Sequence, residues 1–177
     1  MRSPKVVHET HESLKTMIID SDRQVIKEWT DDGIWRLLIK QGQLNIFLIH
    51  PEKKRFVKIV FPIGFTDKDL QQKLSEVFND PKNGSKAIYL LRSTINNPCC
   101  GFNIAMKDNL LQNFEVSTTI FPFEDDFSIQ NLDRAIQNVA STAIAGIDYI
   151  KTLLGNIELH QKVIDSFPKT DPGVEFG

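Results

Sequence analysis

Residues 114–154 constrain the fold more tightly than any other part of this chain. Phe114, Val116, Thr118 and Ile120 alternate with Glu115, Ser117 and Thr119, the pattern of a half-buried strand that runs on to Phe121. An acidic turn, Glu124-Asp125-Asp126, follows. Then Ile129, Leu132, Ile136, Val139, Ala143, Ile147, Ile150 and Leu154 recur at spacings of three and four, one apolar stripe on a long helix. Ser128 stands where an N-cap hydroxyl is needed, and Phe127 can staple onto Leu132. Asp125 and Asp126 lie by the positive end of the helix dipole, and Gly155 supplies the stop. A strand feeding a capped helix of this length predicts a helix packed across a sheet.

The rest of the chain supplies the other strands. Ser21-x-x-Gln24 has the spacing of a capping box and predicts a helix carrying Val25, Ile26 and Trp29 to a stop near Gly33. Trp35, Leu37 and Ile39 alternate with Arg36 and Lys40. Beyond a Gly42 turn comes Leu44–Ile49, and beyond Pro51-Glu52-Lys53-Lys54 comes Phe56–Phe61. These last two runs are apolar on both sides, which predicts cover on both faces of the sheet. Thr66 is placed to cap a helix with Asp69 at the box position and Phe65 stapled to Leu70. Its stripe is Leu70, Leu74, Val77 and Phe78, and Asp80-Pro81 ends it. Lys86–Asn96 carries strand formers, but Ile88, Leu91 and Ile95 at helical spacing, with Ser85 as N-cap, predict helix. Phe102, Ile104 and Met106 alternate before a Lys107-Asp108-Asn109 turn.

The expected fold is therefore α+β. A five-stranded, mainly antiparallel sheet is joined by an N-terminal helix, a middle helical segment and the long C-terminal helix. One domain is expected over residues 18–167, with a short helix over Ile157–Phe167 and flexible tails at 1–17 and 168–177.

That element order resembles the fold of type III secretion chaperones and their YbjN-type relatives. Two stretches also resemble an archaeal family of uncharacterised proteins given the same fold. One is Ile26-x-x-Trp29-x-x-Asp32-Gly33-Ile34. The other is Val116-Ser117-Thr118-Thr119-Ile120-Phe121, with Asp126-Phe127-Ser128 and then Leu132-Asp133-Arg134-Ala135-Ile136-x-x-Val139. The resemblance spans roughly residues 18–154. It implies a homodimer that binds other polypeptides on its sheet and helix surfaces, without nucleotide, cofactor or catalysis. The segment beyond Leu154 and the Cys99-Cys100 pair depart from the family pattern.

Charge and composition exclude some functions. The net charge of −2 over 177 residues provides no field to recruit nucleic acid or an anionic membrane. Met1–Thr16 has no apolar core of a secretory signal, and no run approaches the ~20 apolar residues of a membrane span, so a cytoplasmic location is expected. The basic turn Lys53-Lys54-Arg55 reads as a solvated hairpin tip. No phosphate-binding glycine loop and no G-x-S-x-G elbow occurs.

Few residues suggest chemistry. His8 and His11 are three apart rather than the four of the His-Glu-x-x-His zinc helix, and they fall in the expected tail, so no metal is assigned. His50 and His160 read as surface residues. Adjacent Cys99 and Cys100 lack the Cys-x-x-Cys redox spacing. Asp31-Asp32 sits where the first helix should end, a poor place for acids. Three functions follow from these residues. A polypeptide-binding adaptor, homodimeric, would use Phe47, Ile49, Val57, Ile59 and Phe61, apolar side chains that a single helix layer cannot cover. A small-ligand carrier would hold its ligand between the long helix and the sheet. An enzyme would need Asp31, Asp32, Glu124, His50 or Cys100 to converge.

Overall fold

The computed structural model describes residues 4–65, 68–107 and 110–155. Four helices and six strands follow one another along it. They are α1 (Pro4–Asp20), β1 (Gln24–Asp31), β2 (Ile34–Gln41), β3 (Leu44–Pro51) and β4 (Val57–Gly64), then α2 (Lys68–Phe78), α3 (Gly84–Thr94), β5 (Gly101–Lys107), β6 (Leu110–Ile120) and α4 (Ile129–Leu153). The strands form one sheet in the order β1-β2-β3-β4-β6-β5. Every neighbouring pair is antiparallel. The fold is the expected α+β arrangement with its long C-terminal helix, but the sheet has six strands rather than five.

The sixth strand is the segment expected to be the first helix. Ser21 does not open a helix; it ends one. Its hydroxyl donates to the Met17 carbonyl at 2.8 Å. Asp22 turns left-handed at φ 57°. Asp22 N–H then reaches the Ile19 carbonyl, and Arg23 N–H the Ile18 carbonyl, the paired bonds of a Schellman stop. The helix so ended is α1, built from residues expected to be a tail. His11, Leu14 and Ile18 fall on one stripe and are buried. After the stop, Gln24–Asp31 extends and pairs with β2 through a two-residue turn. Asp32 (φ 49°) and Gly33 (φ 70°) both take the left-handed conformation that such a turn requires. An Asp-Gly pair between apolar runs is a hairpin signal, and it overrides the helical spacing of Val25, Ile26 and Trp29.

Elsewhere the local expectations hold. The 86–96 segment is helical, as α3, although its N-cap is Asn83 rather than Ser85. Ser128 caps α4, accepting from Asn131 N–H, while the Asn131 side chain accepts from Ser128 N–H. Gly155 (φ 72°) follows the helix end. Leu74 and Phe78 of α2 are buried. The proposed Thr66 cap, the 108–109 turn, the 157–167 helix and the C-terminal tail lie outside the described residues.

All four helices contribute to one apolar cluster on one face of the sheet. Among the described residues the other face carries no helix. Its buried centre is Leu38, Phe47 and Val60, flanked by Trp29 and Ile49. The Trp29 ring meets Phe47 edge-on at 6.3 Å. Lys27 lies over Trp29 at 5.1 Å. Lys58 pairs with Glu115 at 2.7 Å. This outer face is thus covered by its own large and charged side chains, whose stems shield the apolar centre.

Register also divides the five residues proposed for partner binding. Phe47 pairs with Val60 and Leu48 with Ile59, so Ile59 shares a face with Leu48 and not with Phe47. Val57, Ile59 and Phe61 belong to the helix-covered core; Phe47 and Ile49 belong to the outer face. Hairpin loop length sets this parity, and the loop between β3 and β4 reverses the parity implied by counting alternate residues. The apolar surplus that argued for a second copy is absorbed within the chain.

Candidate functional site

Two places stand out from the packed scaffold: a notch at the sheet edge, and a buried pair of histidines under α1.

The notch arises because β6 is longer than its neighbour. β5 pairs with β6 from Lys107 opposite Leu110 up to Gly101 opposite Ser117. β4 continues alongside β6 to Ile120. Over Thr118–Ile120, then, β6 has a strand on one side and, among the described residues, none on the other. The chain that would fill the gap turns back, with Asn97 bridged to Cys100. Thr118 donates its hydroxyl to the Cys99 carbonyl at 2.9 Å and holds that turn in place. α4 runs beneath. Together they enclose a cleft of about 290 Å³. Ile120, Phe127 and Ala135 give it apolar walls, with Thr118, Thr119 and Cys99 at the strand side. Glu124 and Asp126 stand on one rim, and Asn131, Arg134 and Asn138 of α4 on the other.

This volume is at the low end for a ligand pocket, enough for one or two side chains or a small molecule and too little for a large cofactor. Because Ser128 and Asn131 cap one another, the Asn131 amide in the first turn of α4 is engaged inside the protein. The polar groups on offer are therefore side chains of both signs and, along the strand, backbone. In an antiparallel ladder alternate residues aim their N–H and C=O to opposite sides, so part of the Thr118–Ile120 backbone faces the gap.

The histidine pair joins α1 to the sheet. His50 ends β3 on the helix-covered face, in register with Trp35, and is completely buried. His11 is 8% exposed. Its Nε2 lies 2.8 Å from His50 Nδ1, and His50 Nε2 lies 3.0 Å from the Lys54 carbonyl. A carbonyl only accepts, so His50 carries its proton on Nε2. Between His11 Nε2 and His50 Nδ1, the nitrogen that carries the hydrogen donates to the other. The His11 ring stacks on Trp35 at a centroid distance of 4.0 Å and 5° between planes. Phe123 closes on His50 at 5.0 Å. Burial, reinforced by His50, lowers the His11 pKa to about 4, against a smaller opposing pull from Glu28.

Glu28 is part of the same fastening. It accepts from Trp35 Nε1 at 2.9 Å and from Lys15 Nζ at 2.8 Å. Burial raises its pKa, but these two bonds outweigh it and hold the carboxyl below its usual range. The surface assignment of His50 is thus overturned, and His11 lies in a helix rather than a tail. The clue was present: His50 continues the Ile46, Leu48 alternation, and His11 precedes Leu14 and Ile18 by three and seven.

The remaining candidates do not converge. Asp31 closes β1 and Asp32 forms its turn, a structural account of the pair. Glu124 lines the notch, whereas both ring nitrogens of His50 are used inside the protein. Cys99 is exposed and Cys100 half-buried, both as free thiols. Burial pushes the Cys100 thiol up, away from the reactive thiolate. Among the described residues no group of three or more His, Cys, Asp or Glu side chains is placed to hold a metal ion. No described helix is long and apolar enough to cross a membrane.

No protein-family profile and no curated protein matches the chain. Among solved structures it is similar to the crystal structure of an uncharacterized protein from Methanothermobacter thermautotrophicus. The TM-score is 0.67 at 19% identity, over 81% of this chain and 97% of that one. At that identity the similarity establishes a shared fold and carries no activity.

Proposed function

We propose that this protein is a non-enzymatic polypeptide-binding adaptor that takes an extended segment of a partner chain into the notch beside β6. The observation that carries this is the continuation of β6 past the end of β5, with apolar walls below it. An added strand would continue the line of β5, using the part of the Thr118–Ile120 backbone that faces the gap for affinity and the cleft for one or two side chains. The mixed rim sets a preference. Glu124 and Asp126 favour a basic side chain at the turn end, and Arg134 a carboxylate toward α4. The same cleft, lying between the long helix and the sheet, supports a small-ligand carrier as a second function, with Arg134 and the two acids holding a compact zwitterion.

Selection from a random peptide library on the whole protein separates the two. Enriched peptides should bind at least tenfold more weakly to Ala135→Glu, which fills the cleft from a half-buried position of α4, provided its circular dichroism spectrum matches that of the native protein. N-methylation of the best peptide at alternate residues should abolish binding, and at the intervening residues should not. Equal binding to the variant, or indifference to N-methylation, rejects strand addition. Failure to enrich any peptide, combined with calorimetric binding of free amino acids, selects the carrier.

A further inference from the structure

We infer that the notch takes the free C-terminus of a partner polypeptide, with the terminal carboxylate at the end closed by the Asn97–Cys100 turn. This rests on the strand-addition reading of the notch, and it adds the direction of the bound strand and the group that ends it.

The cleft is closed at one end. α4 runs back along β6: Ala135 stands with Ile120 in the cleft wall, and Gly146 lies against Phe114. Between them Thr142 accepts from Asn97 Nδ2 at 2.8 Å. The Asn97–Cys100 turn is therefore seated at Thr142, one helical turn past Asn138. From the strand side Thr118 pins it through the Cys99 carbonyl at 2.9 Å. A strand laid along β6 from the acidic turn runs into this plug. The α4 wall from Asn131 to Asn138 is about 10 Å long, the span of about three extended residues.

Charge sets the direction. Glu124 and Asp126 stand at the open end, on the loop between β6 and α4. Arg134 and Asn138 follow along α4 toward the plug. None of these four side chains has a hydrogen bond or ion pair among the described residues. A strand antiparallel to β6, as β5 is, brings its C-terminus to the plug, where the carboxylate meets the Arg134 guanidinium and the Asn138 amide. The reverse direction would set an ammonium against Arg134. A chain that continued would set neutral backbone there and have to leave the line of the sheet. Parity then places the side chains. Ile120 belongs to the helix-covered face, so the residue in register with it points toward α4, against Phe127 and Ala135, and is apolar. A basic residue upstream of it reaches Glu124 and Asp126.

Two random libraries panned on the whole protein test this. One displays peptides with a free C-terminus; the other holds the same length of random sequence between two folded carrier domains. Enrichment should come from the free-end library. The best peptide is then made as free acid and as C-terminal amide, and its binding is followed by fluorescence anisotropy. Amidation should weaken binding to the native protein roughly tenfold or more. Arg134→Gln, an exposed position without a partner, should weaken the free acid by a similar factor and leave the amide within about twofold. Glu124→Gln should preserve the ratio of acid to amide. Peptides that lose affinity on Ala135→Glu but bind equally as acid and amide overturn the C-terminal inference and leave strand addition standing. Equal enrichment of the internal library does the same. An amidation loss that persists in Arg134→Gln overturns the assigned direction. No enrichment from either library overturns both readings.

Discussion

Asp22 holds a position for which it is poorly suited. A left-handed C′ residue ending a helix is normally glycine, because a β-carbon at positive φ crowds the backbone. Asp22→Gly should therefore stabilise the protein by about 0.5–1 kcal/mol, read as a rise in the urea midpoint at unchanged m-value. Loss of stability would mean that the Asp22 carboxylate has a role beyond the turn. His11 behaves in the opposite sense, as a residue whose fit depends on solution conditions. Its folded pKa of about 4 lies below the unfolded value of 6.5. The stability it contributes is complete above about pH 6.5 and is lost as the pH falls through 4, by about 3 kcal/mol in all. Urea titrations at pH 7, 5.5 and 4.5 should show that decline, and His11→Gln should remove most of it.

At the level of elements, α4 is the best-specified part of the chain, and its middle is closely packed. Its cap is local, so Ser128→Ala should cost about 1 kcal/mol in thermal or chemical denaturation. Its middle is tertiary. A β-carbon on Gly146 would sit 2.7 Å from Ile95 Cγ2 and 3.4 Å from two atoms of the Phe114 ring. Gly146→Ala would gain roughly 1 kcal/mol of helix propensity if α4 were free. Here we expect a net loss of about 1–3 kcal/mol, because α3 and β6 must move apart. A stabilised Gly146→Ala variant would contradict this packing. The same contrast explains the N-terminal half. The spacing of Val25, Ile26 and Trp29 fits a helix, but two left-handed residues at Asp32-Gly33 and the β2 edge beyond them make a strand the better partner.

For the molecule as a whole, the decisive feature is that one face is built by helices and the other by the sheet's own side chains. Ile59 is fully buried beneath the helices. Ile59→Asp should therefore unfold the chain, seen as loss of the far-ultraviolet circular dichroism signal, rather than release a folded monomer from a dimer. On the outer face, Trp29→Ala should leave the fold intact and expose Phe47, with a cost of about 1–3 kcal/mol and increased binding of a hydrophobic dye. A dye response no greater than that of the native protein would show that Trp29 is not the cover.

The sequence alone determined the features that depend on neighbours along the chain. The α4 stripe and its Ser128 cap, the alternation in β2 to β6, the helical spacing of 86–96 and the Gly155 stop are all local, and all were legible. What needed the tertiary structure was every choice that depends on distant contacts. Residues 4–20 become a helix because Leu14, Ile18 and His11 have a sheet to lie on. Val57, Ile59 and Phe61 turn to the core, and Phe47 away from it, because a loop sets the parity between strands. The notch exists because β5 stops where β6 does not, and His11 meets His50, 39 positions further along the chain. Local periodicity reports the energy of a segment against itself; burial, register and the meeting of side chains are set by the rest of the molecule.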